Sequence, residues 1–311
     1  MKLVTFEHNG RVSYGVMADD RIVDISAAWP DGPGSLQAAL EAGDKAVGRI
    51  AELAASAEAA ACVPADEVKL LAPLPSPPKI IAIAGNYAKH IKESRLDKGL
   101  TADPHSDTTP RPFLMPSTCI ANPGDTVAWP AYSREIDYEA ELTIVIGKTA
   151  KDVSPAEAAD YIAGYTIAND VSARSVTFAE GRAVRPWDEF YDWLNGKWAD
   201  GFCPIGPTIV TADAIGDPRD LPIRLTVNGE VRQNANTRDM IFDVYEMVSF
   251  LSHLMTLTPG DLIATGTPEG VGMGTGTFLN AGDEITATIE GIGELTVTLG
   301  ERPREFYKPC L

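Results

Sequence analysis

The sequence predicts a β-dominated α+β fold, with a small N-terminal α+β module at residues 1–70 and a larger domain at residues 80–311. Three observations support this prediction. Strand-like segments outnumber helical ones after residue 80, which favours a β-rich core with a few packed helices. A proline-rich linker at 71–79 can form neither a helix nor an inner strand, because proline lacks a backbone donor. Short strands with turn residues between them open the chain.

The N-terminal module combines these strands with a helical stretch. The three strand-like segments are residues 2–6, 11–16 and 21–24. Asn9-Gly10 is a hairpin turn signal between the first two of them. The segment 35–60 is rich in alanine and glutamate and predicts helix, with an interruption at Gly43.

The larger domain alternates apolar strands with turns. Its strand-like segments are 79–84, 165–169, 223–227, 230–233, 261–265, 285–289 and 294–299. Ser154-Pro155 with Glu157 has the pattern of a helix N-terminus, and we expect that helix to run to Gly164. The apolar periodicity of 242–255 predicts a further helix.

Composition and charge exclude several classes of protein. Hydrophobic residues make up 44% of the 311 residues and charged residues 23%, a composition typical of globular proteins. The net charge of −18 argues against nucleic-acid or anionic-membrane partners. We find no apolar run of membrane-spanning length and no secretory core at the N-terminus, so we expect a cytoplasmic location. The cysteines are scattered, which favours reduced thiols; they are Cys62, Cys119, Cys203 and Cys310.

Two glutamates at the start of an apolar segment are the first candidates for chemistry. Glu139 and Glu141 would share one face of a strand, and the following residues to Gly147 are apolar on both faces. Buried carboxylates need a cation or a proton. Together with Asp170 they offer three oxygen ligands, which suit Mg²⁺, Mn²⁺ or Ca²⁺ better than zinc. The alternatives are a strand end that reaches solvent and, for Asp170, a turn carboxylate.

Two further groups could move protons or hold an acid. His90 and Glu93 are three residues apart, so on a helix they could form an acid/base pair; an exposed surface pair is the alternative. Lys197 could stabilise an oxyanion, although most such lysines are merely solvated. The turn at Thr267 could meet a carboxylate. The long polar stretch 95–111 is a candidate lid.

Taken together, these segments resemble the fumarylacetoacetate hydrolase superfamily, because a set of blocks follows the order of that family. The blocks are Asn86–His90 with Glu93, Asp137–Gly147, Asn169–Arg174, Gly196–Lys197 with Phe202–Pro207, Val227–Gln233, Asn236–Phe242 and Leu257–Pro268. Within that superfamily, the chain resembles the bacterial 2,4-dioxo-acid hydrolases and 2-hydroxyhepta-2,4-diene-1,7-dioate isomerases.

The resemblance implies a mixed β-sandwich roll, a homodimer, and Mg²⁺ or Mn²⁺ as cofactor. The implied metal ligands are Glu139, Glu141 and Asp170. The implied catalytic residues are the lid dyad His90 and Glu93, and Lys197. The implied substrate-binding residues are Tyr87, Arg174, Gln233 and Thr267.

The chain also departs from the pattern of the family. Met115 stands where many members have lysine, Ser175 where many have aspartate, and Ala84 where a glycine is usual. We expect substrate selection to lie in two insertions, 95–111 and 178–195, the second of which contains a group of arginines and aromatic residues. These residues are Arg182, Arg185, Trp187, Tyr191 and Trp193.

The expected activity is hydrolysis of a C–C bond in a small 2,4-dioxo (acylpyruvate-type) acid, giving pyruvate and a carboxylic acid. The substrate's 2-oxo and carboxylate oxygens would meet the cation, and the His90–Glu93 dyad would activate water. The alternatives are decarboxylation of oxaloacetate, and isomerisation or hydration of a dienoic acid. A non-catalytic protein that binds a small acid through the metal is an alternative of another class.

Overall fold

The computed structural model describes residues 1–56, 61–95, 97–179, 183 and 185–308. The strands are β1 Lys2–His8, β2 Arg11–Ala18, β3 Arg21–Asp24, β4 Cys62–Pro64, β5 Lys69–Leu71, β6 Ile80–Ile83, β7 Pro112–Met115, β8 Ile120–Ala121, β9 Thr126–Val127, β10 Ser133–Asp137, β11 Ala140–Ile146, β12 Ile162–Asn169, β13 Ser172–Val176, β14 Cys203–Thr211, β15 Pro222–Val227, β16 Glu230–Asn236, β17 Leu262–Ala264, β18 Glu284–Ile289 and β19 Gly293–Leu299. The α-helices are α1 Ile25–Ala28, α2 Leu36–Glu41, α3 Asp44–Ser56, α4 Ala88–Glu93, α5 Pro104–Asp107, α6 Asp188–Asn195, α7 Val244–Leu254 and α8 Gly272–Thr275. Short 3₁₀ turns occupy Ala65–Glu67, Ser117–Cys119, Ala158–Tyr161, Thr177–Ala179 and Thr237–Asp239.

One large mixed sheet runs through the described molecule. Its strands follow the order β4-β3-β2-β1-β14-β12-β11-β17-β6-β7, with β5 beside β1 and β8 beside β14. Most neighbours are antiparallel, but β17 pairs with β6 in parallel and β14 pairs with β8 in parallel. The predicted β-dominated α+β fold, a mixed sandwich roll, is therefore confirmed.

A second sheet forms the other layer of the sandwich. It has the order β16-β15-β18-β19-β9. Alternate side chains of its strands, such as Ile223 and Ala287, share a core with Leu142 and Ile144 from β11. The opposite face of the large sheet is covered by α2 and α3, where Leu36 packs in one cluster with side chains of β11 and β17. Strand β11 is thus buried on both faces, as the apolar run at its C-terminal end predicts.

The N-terminal segment shares the large sheet with the rest of the chain. Strand β1 pairs with β14 through Lys2↔Val210 and Leu3↔Ile209. The proline-rich connector forms neither helix nor strand between Ala72 and Lys79, as predicted. We retain the division into 1–70, 71–79 and 80–311 as a proposal about folding units.

The predicted helix from Ser154 to Gly164 is wrong. The side chains of its predicted cap do meet, because Ser154 donates its backbone N–H (3.2 Å) and its hydroxyl (2.5 Å) to Glu157. The chain then makes only a 3₁₀ turn at Ala158–Tyr161 and enters β12 at Ile162. Antiparallel pairing of this β-branched and aromatic stretch with β11 overrides the local helix signal.

The helix predicted at 242–255 is confirmed as α7, Val244–Leu254. The Asp243 side chain caps α7 by accepting hydrogen bonds from the N–H groups of Tyr245 and Glu246. The Glu246 side chain in turn accepts a hydrogen bond from the Asp243 N–H. Among the described residues, no helix is both long enough and apolar enough to cross a bilayer.

Candidate active site

The carboxylate cluster forms where the start of β11 meets the end of β12. Ala140 is paired with Asn169 across the two strands, so the residues just outside each strand come together. The Asp170 N–H donates to the Glu139 carbonyl at 2.9 Å, and the Glu139 N–H donates to the Asn169 side chain at 2.9 Å. Register in the sheet therefore places Glu139, Glu141 and Asp170 side by side, although Asp170 is far from the glutamates in sequence.

The cluster has the chemistry of a divalent-cation site. One carboxylate oxygen from each of Glu139, Glu141 and Asp170 lies within 4.8 Å of the others, and all three residues are buried. Among the described residues, the Asp170 Oδ1 atom has no hydrogen-bond partner, although it is buried. A buried acceptor that lacks a donor, in an all-oxygen cluster, fits a hard cation such as Mg²⁺ or Mn²⁺.

Two buried cations balance part of this negative charge. The Lys197 ammonium lies 2.8 Å from a Glu139 oxygen and 2.7 Å from an Asp170 oxygen, and the side chain is 2% exposed. The Arg174 guanidinium donates to the other Glu139 oxygen at 2.5 Å and to Asp137 at 3.2 Å. Burial opposes ionisation of Glu139, but Lys197 and Arg174 outweigh it and hold the pKa of Glu139 below its usual range.

The pKa values of the other two carboxyls, Glu141 and Asp170, are raised. Burial, Asp170 and Glu139 raise the pKa of Glu141 well above its ordinary value, although the Gly266 N–H donates to Glu141 at 2.9 Å. Burial also raises the pKa of Asp170, and Lys197 offsets only part of this increase. In the absence of a cation, the cluster therefore holds protons at pH values where exposed carboxyls have lost them.

We expect the Glu141→Gln variant of the metal-free protein to gain stability relative to the wild type as the pH rises above 4.5. A carboxyl whose pKa is raised by folding stabilises the fold fully only below its unfolded pKa, and this stabilisation is lost as the pH rises toward the folded pKa. Glutamine carries no proton to lose. Urea denaturation in EDTA at pH 5, 6, 7 and 8 measures the difference.

Glu284→Gln is the matched control, because Glu284 is exposed at the start of β18. Its difference from the wild type should not change across this pH range. The Glu141→Gln protein should also lose most of the stabilisation that Mg²⁺ gives to the wild type, since one ligand is neutral. A Glu141→Gln difference that is flat with pH would contradict the electrostatic account.

The His90–Glu93 pair lies on α4 at the edge of the cluster. The His90 Nδ1 atom is 3.3 Å from a Glu93 oxygen, and His90 is mostly buried. Both oxygens of Glu93 accept the Gly270 N–H, at 2.9 and 3.0 Å. Gly270 has φ +101° and Gly274 packs against Glu93, where a Cβ would lie 2.5 Å from the carboxyl carbon. The helix is thereby fixed to the loop after β17.

The predicted substrate-binding residues differ in what their side chains contact. Thr267 lines the cavity described below and donates to the Ala140 carbonyl at 3.0 Å. The Gln233 side chain is fully buried and makes three bonds, to the Ala140 N–H, the Thr267 hydroxyl and the Pro268 carbonyl, at 2.8–2.9 Å. Gln233 thus supports Thr267 from behind the cavity wall.

Tyr87 is buried at the start of α4 and does not line the cavity. Among the described residues, its hydroxyl has no hydrogen-bond partner. Burial and the charge of Glu141 raise its pKa, so the hydroxyl stays protonated and can only donate or accept a hydrogen bond.

A cavity of about 870 Å³ opens over the cluster. Phe113 and Trp193 form part of its wall, and their rings lie 5.9 and 5.8 Å from the Lys197 ammonium. Phe190 and Trp198 continue the aromatic lining. Of the aromatic residues predicted in the second insertion, Trp193 lines the cavity, whereas Trp187 and Tyr191 lie at the start of α6 and within it and are exposed. Arg182 lies outside the described residues.

The sequence singles out neither Arg111 nor Phe113, although both line the cavity. Arg111 falls within the 95–111 stretch that is expected to form a lid and to select substrate, and Phe113 belongs to none of the predicted motifs. Alternation along β7 could have indicated that they share a face. Met115, the departure from the family's lysine, is buried in the core of the large sheet and does not line the cavity.

A buried cluster of three carboxylates, flanked by a lysine and a histidine–glutamate pair in a mixed β-sandwich, is the arrangement expected of a metal-dependent enzyme. Residues 79–300 match the family described as fumarylacetoacetate (FAA) hydrolase, C-terminal, and residues 1–73 match the family described as Rv2993c-like, N-terminal. The chain belongs to the fumarylacetoacetate hydrolase family.

Relatives and solved structures in this family have several named activities. The chain is 37% identical over 274 residues to mitochondrial oxaloacetate tautomerase Fahd2a of Rattus norvegicus, which covers 88% of this chain and 82% of the relative. It is 34% identical to a maleylpyruvate hydrolase of Sphingobium sp. SYK-6 solved with manganese(II) and pyruvate (TM-score 0.72; 97% of this chain and 100% of that chain). It is 33% identical to a 2-hydroxyhepta-2,4-diene-1,7-dioate isomerase of Mycobacterium marinum (TM-score 0.72; 98% and 100%).

Proposed function

We propose that this protein is a divalent-metal-dependent hydrolase that cleaves a C–C bond of a small 2,4-dioxo acid, releasing pyruvate and a carboxylic acid. The observation that supports it most directly is the buried cluster of Glu139, Glu141 and Asp170 beneath a cavity that also contains His90 and Lys197. The similarity to a maleylpyruvate hydrolase solved with manganese(II) and pyruvate supports the same function.

In this proposal Glu139, Glu141 and Asp170 hold Mg²⁺ or Mn²⁺. When bound, such a cation polarises a carbonyl oxygen and stabilises negative charge that develops on it. Its positive charge also relieves the repulsion that raises the pKa of Glu141.

The remaining roles belong to side chains of the cavity. His90 takes a proton from water on one ring nitrogen, while Glu93 faces Nδ1 and stabilises the imidazolium. The Lys197 ammonium lies in the cavity wall and can donate to an oxyanion. The Thr267 hydroxyl, which donates to the Ala140 carbonyl in the structure, turns to donate to the substrate carboxylate, and the Gln233 amide holds it in place. Arg174 fixes Glu139, and the Tyr87 hydroxyl stays protonated because burial and Glu141 raise its pKa.

A second candidate is enol–keto tautomerisation or decarboxylation of oxaloacetate. The long alignment with an oxaloacetate tautomerase favours it, and isomerisation of a dienoic acid is a related possibility. These reactions also proceed through a 2-oxo-acid enolate, so the same cluster and proton-transfer groups could serve them. A non-catalytic acid-binding role is less favoured, because binding alone does not need the His90–Glu93 pair.

A substrate panel with and without chelator tests the proposal. Purified protein is incubated with acylpyruvates, oxaloacetate and muconate-type acids in the presence of Mg²⁺ or Mn²⁺, and then with EDTA. We expect pyruvate from the acylpyruvates and loss of at least 100-fold in rate on chelation, which is about 2.7 kcal/mol of barrier. Full activity in EDTA, or turnover of oxaloacetate alone, would overturn the hydrolase assignment.

Two further features are proposed from family resemblance and composition. We propose a homodimer, which size-exclusion chromatography with light scattering would measure. We propose a cytoplasmic location, which fractionation of the source cells would measure.

A further inference from the structure

Arg111 is a cationic residue of the cavity that has no acidic partner. The cationic or ionisable nitrogen side chains that line the cavity are His90, Arg111, Arg174 and Lys197. Three of them face carboxylates at 2.5–3.3 Å. Within the described part of the chain, Arg111 forms no ion pair, and its side chain donates only to the Thr108 hydroxyl at 3.1 Å. Most of its guanidinium donors are therefore available to a ligand.

The backbone holds Arg111 at a fixed place on the cavity wall. Its carbonyl accepts the Ala84 N–H at 3.0 Å, and β7, which begins at the next residue, pairs with β6 through Ile83↔Pro112. Arg111 is thus anchored beside the end of β6 and is not at the tip of a free loop.

Arg111 lines the same cavity as the carboxylate cluster, but within the described residues it forms no ion pair with any carboxylate of that cluster. Arg111 and Phe113 are two apart in extended chain, so their side chains leave the same face, about 7 Å apart along the strand. The Phe113 ring lies 5.9 Å from the Lys197 ammonium, which itself contacts Glu139 and Asp170. The cavity wall therefore contains the charged cluster, an aromatic surface beside it, and a guanidinium that forms no ion pair with the cluster.

Charge makes the unpaired guanidinium selective. The protein carries a net charge of −18, and Glu189 of α6 also lines the cavity, so the long-range field repels anions. A second anionic group of a ligand is attracted only by a cation that is not already paired, such as Arg111. A guanidinium binds a carboxylate through two parallel hydrogen bonds, which an aromatic or aliphatic acyl group cannot accept.

We propose that Arg111 is a specificity-determining residue that binds a second, distal carboxylate of the substrate. The inference rests on the proposed function, because it assumes that the 2-oxo acid end of the substrate lies at the carboxylate cluster. The preferred substrate is then a 2-oxo dicarboxylic acid whose middle carbons lie against Phe113 and Trp193. An acylpyruvate with an apolar end leaves Arg111 unpaired and binds more weakly.

Binding of two matched acids tests this proposal without turnover. The probes are 2-oxoadipate and 2-oxohexanoate, which have the same chain length and differ in the distal carboxylate. Dissociation constants are measured by titration calorimetry in Mg²⁺ for the wild type, Arg111→Gln and Arg111→Lys. We expect the wild type to bind the diacid about 10-fold more tightly than the monoacid, a modest factor because Arg111 is partly hydrated.

The variants assign this preference to one residue. Arg111→Gln should bind both acids equally, and its affinity for the monoacid should equal that of the wild type. Arg111→Lys should keep part of the preference for the diacid, since lysine retains the positive charge but lacks the paired donors of the guanidinium. Glu189→Gln is the matched control, because it removes a charge from the same cavity and should keep or increase the preference. Thermal melting of each variant shows that it is folded; Arg111 is exposed, so we expect unchanged melting temperatures.

Each outcome is decisive. Equal affinity of the wild type for the two acids, or a preference that survives in Arg111→Gln, would overturn the role of Arg111 and leave the proposed function standing. Failure of the wild type to bind either acid in Mg²⁺ would overturn the proposed function, and the role of Arg111 with it.

Discussion

Replacing Lys197 with methionine is expected to lower the free energy of unfolding of the metal-free protein by about 3–5 kcal/mol, because it removes one partner of a buried charge network. Methionine has a similar length, so the change is chiefly the loss of the ammonium. Glu139 and Asp170 would each lose a partner at 2.7–2.8 Å. Urea denaturation in EDTA at pH 7 measures the loss.

Addition of Mg²⁺ should restore much of that stability, since a bound cation replaces the missing positive charge. The cleavage rate should nevertheless stay about 100- to 1000-fold below the wild type, because the donor to the oxyanion is gone. Stability and activity are then separated in a single variant. Equal destabilisation with and without Mg²⁺ would contradict the view that lysine and cation stabilise the same carboxylates.

Lys69→Met is the matched control for this experiment. Lys69 pairs with Asp125 at 3.1 Å, but its side chain is 55% exposed. Surface pairs of this kind contribute about 0–1 kcal/mol, so this variant should remain close to the wild type in both stability and activity.

The two glutamates of the cluster could be predicted from local sequence, and the reason is physical. A strand that is apolar on both faces must be buried, so acidic residues at its start are buried as well. Strand β11 meets this condition, and Glu139 and Glu141 are both buried. The third carboxylate, Asp170, is offered by the sequence as an oxygen ligand, with a turn carboxylate as the alternative. Local pattern does not decide between the two, because the place of Asp170 depends on the β11–β12 register.

Other features escaped the sequence because they depend on contacts between distant segments. The helix expected at Ser154 became strand beyond Ile162, since pairing with β11 outweighs a local capping pattern. The sequence offers Gln233 as a substrate-binding residue but does not show that its amide bonds the backbone and side chain of the cavity wall, because those partners come from distant segments. The 95–111 stretch predicts substrate selection as a whole, but it does not single out Arg111, because the lack of a partner for Arg111 is visible only once every neighbouring carboxylate has been located.

Replacing His90 with asparagine is expected to lower kcat by about 100- to 10,000-fold, which is the usual contribution of a positioned general base. Asparagine retains a polar side chain but cannot take a proton from water near neutral pH. The loss should leave stability almost unchanged, because the link between α4 and the Gly270 loop is made by Glu93 and not by His90. Initial rates at saturating substrate in Mg²⁺, with thermal melting, measure both effects.

Glu93→Ala should differ from His90→Asn in a way that exposes its double role. Removal of the carboxylate deprives His90 of its partner at 3.3 Å and also releases the Gly270 N–H that fixes α4, so activity and stability should fall together. If the two residues act as one unit, the double variant will lose scarcely more activity than the more severe single variant, because the second substitution removes a group that has no function without the first. Fully additive losses would mean that His90 and Glu93 act independently, and Glu93 would then serve only to hold α4 over the cavity.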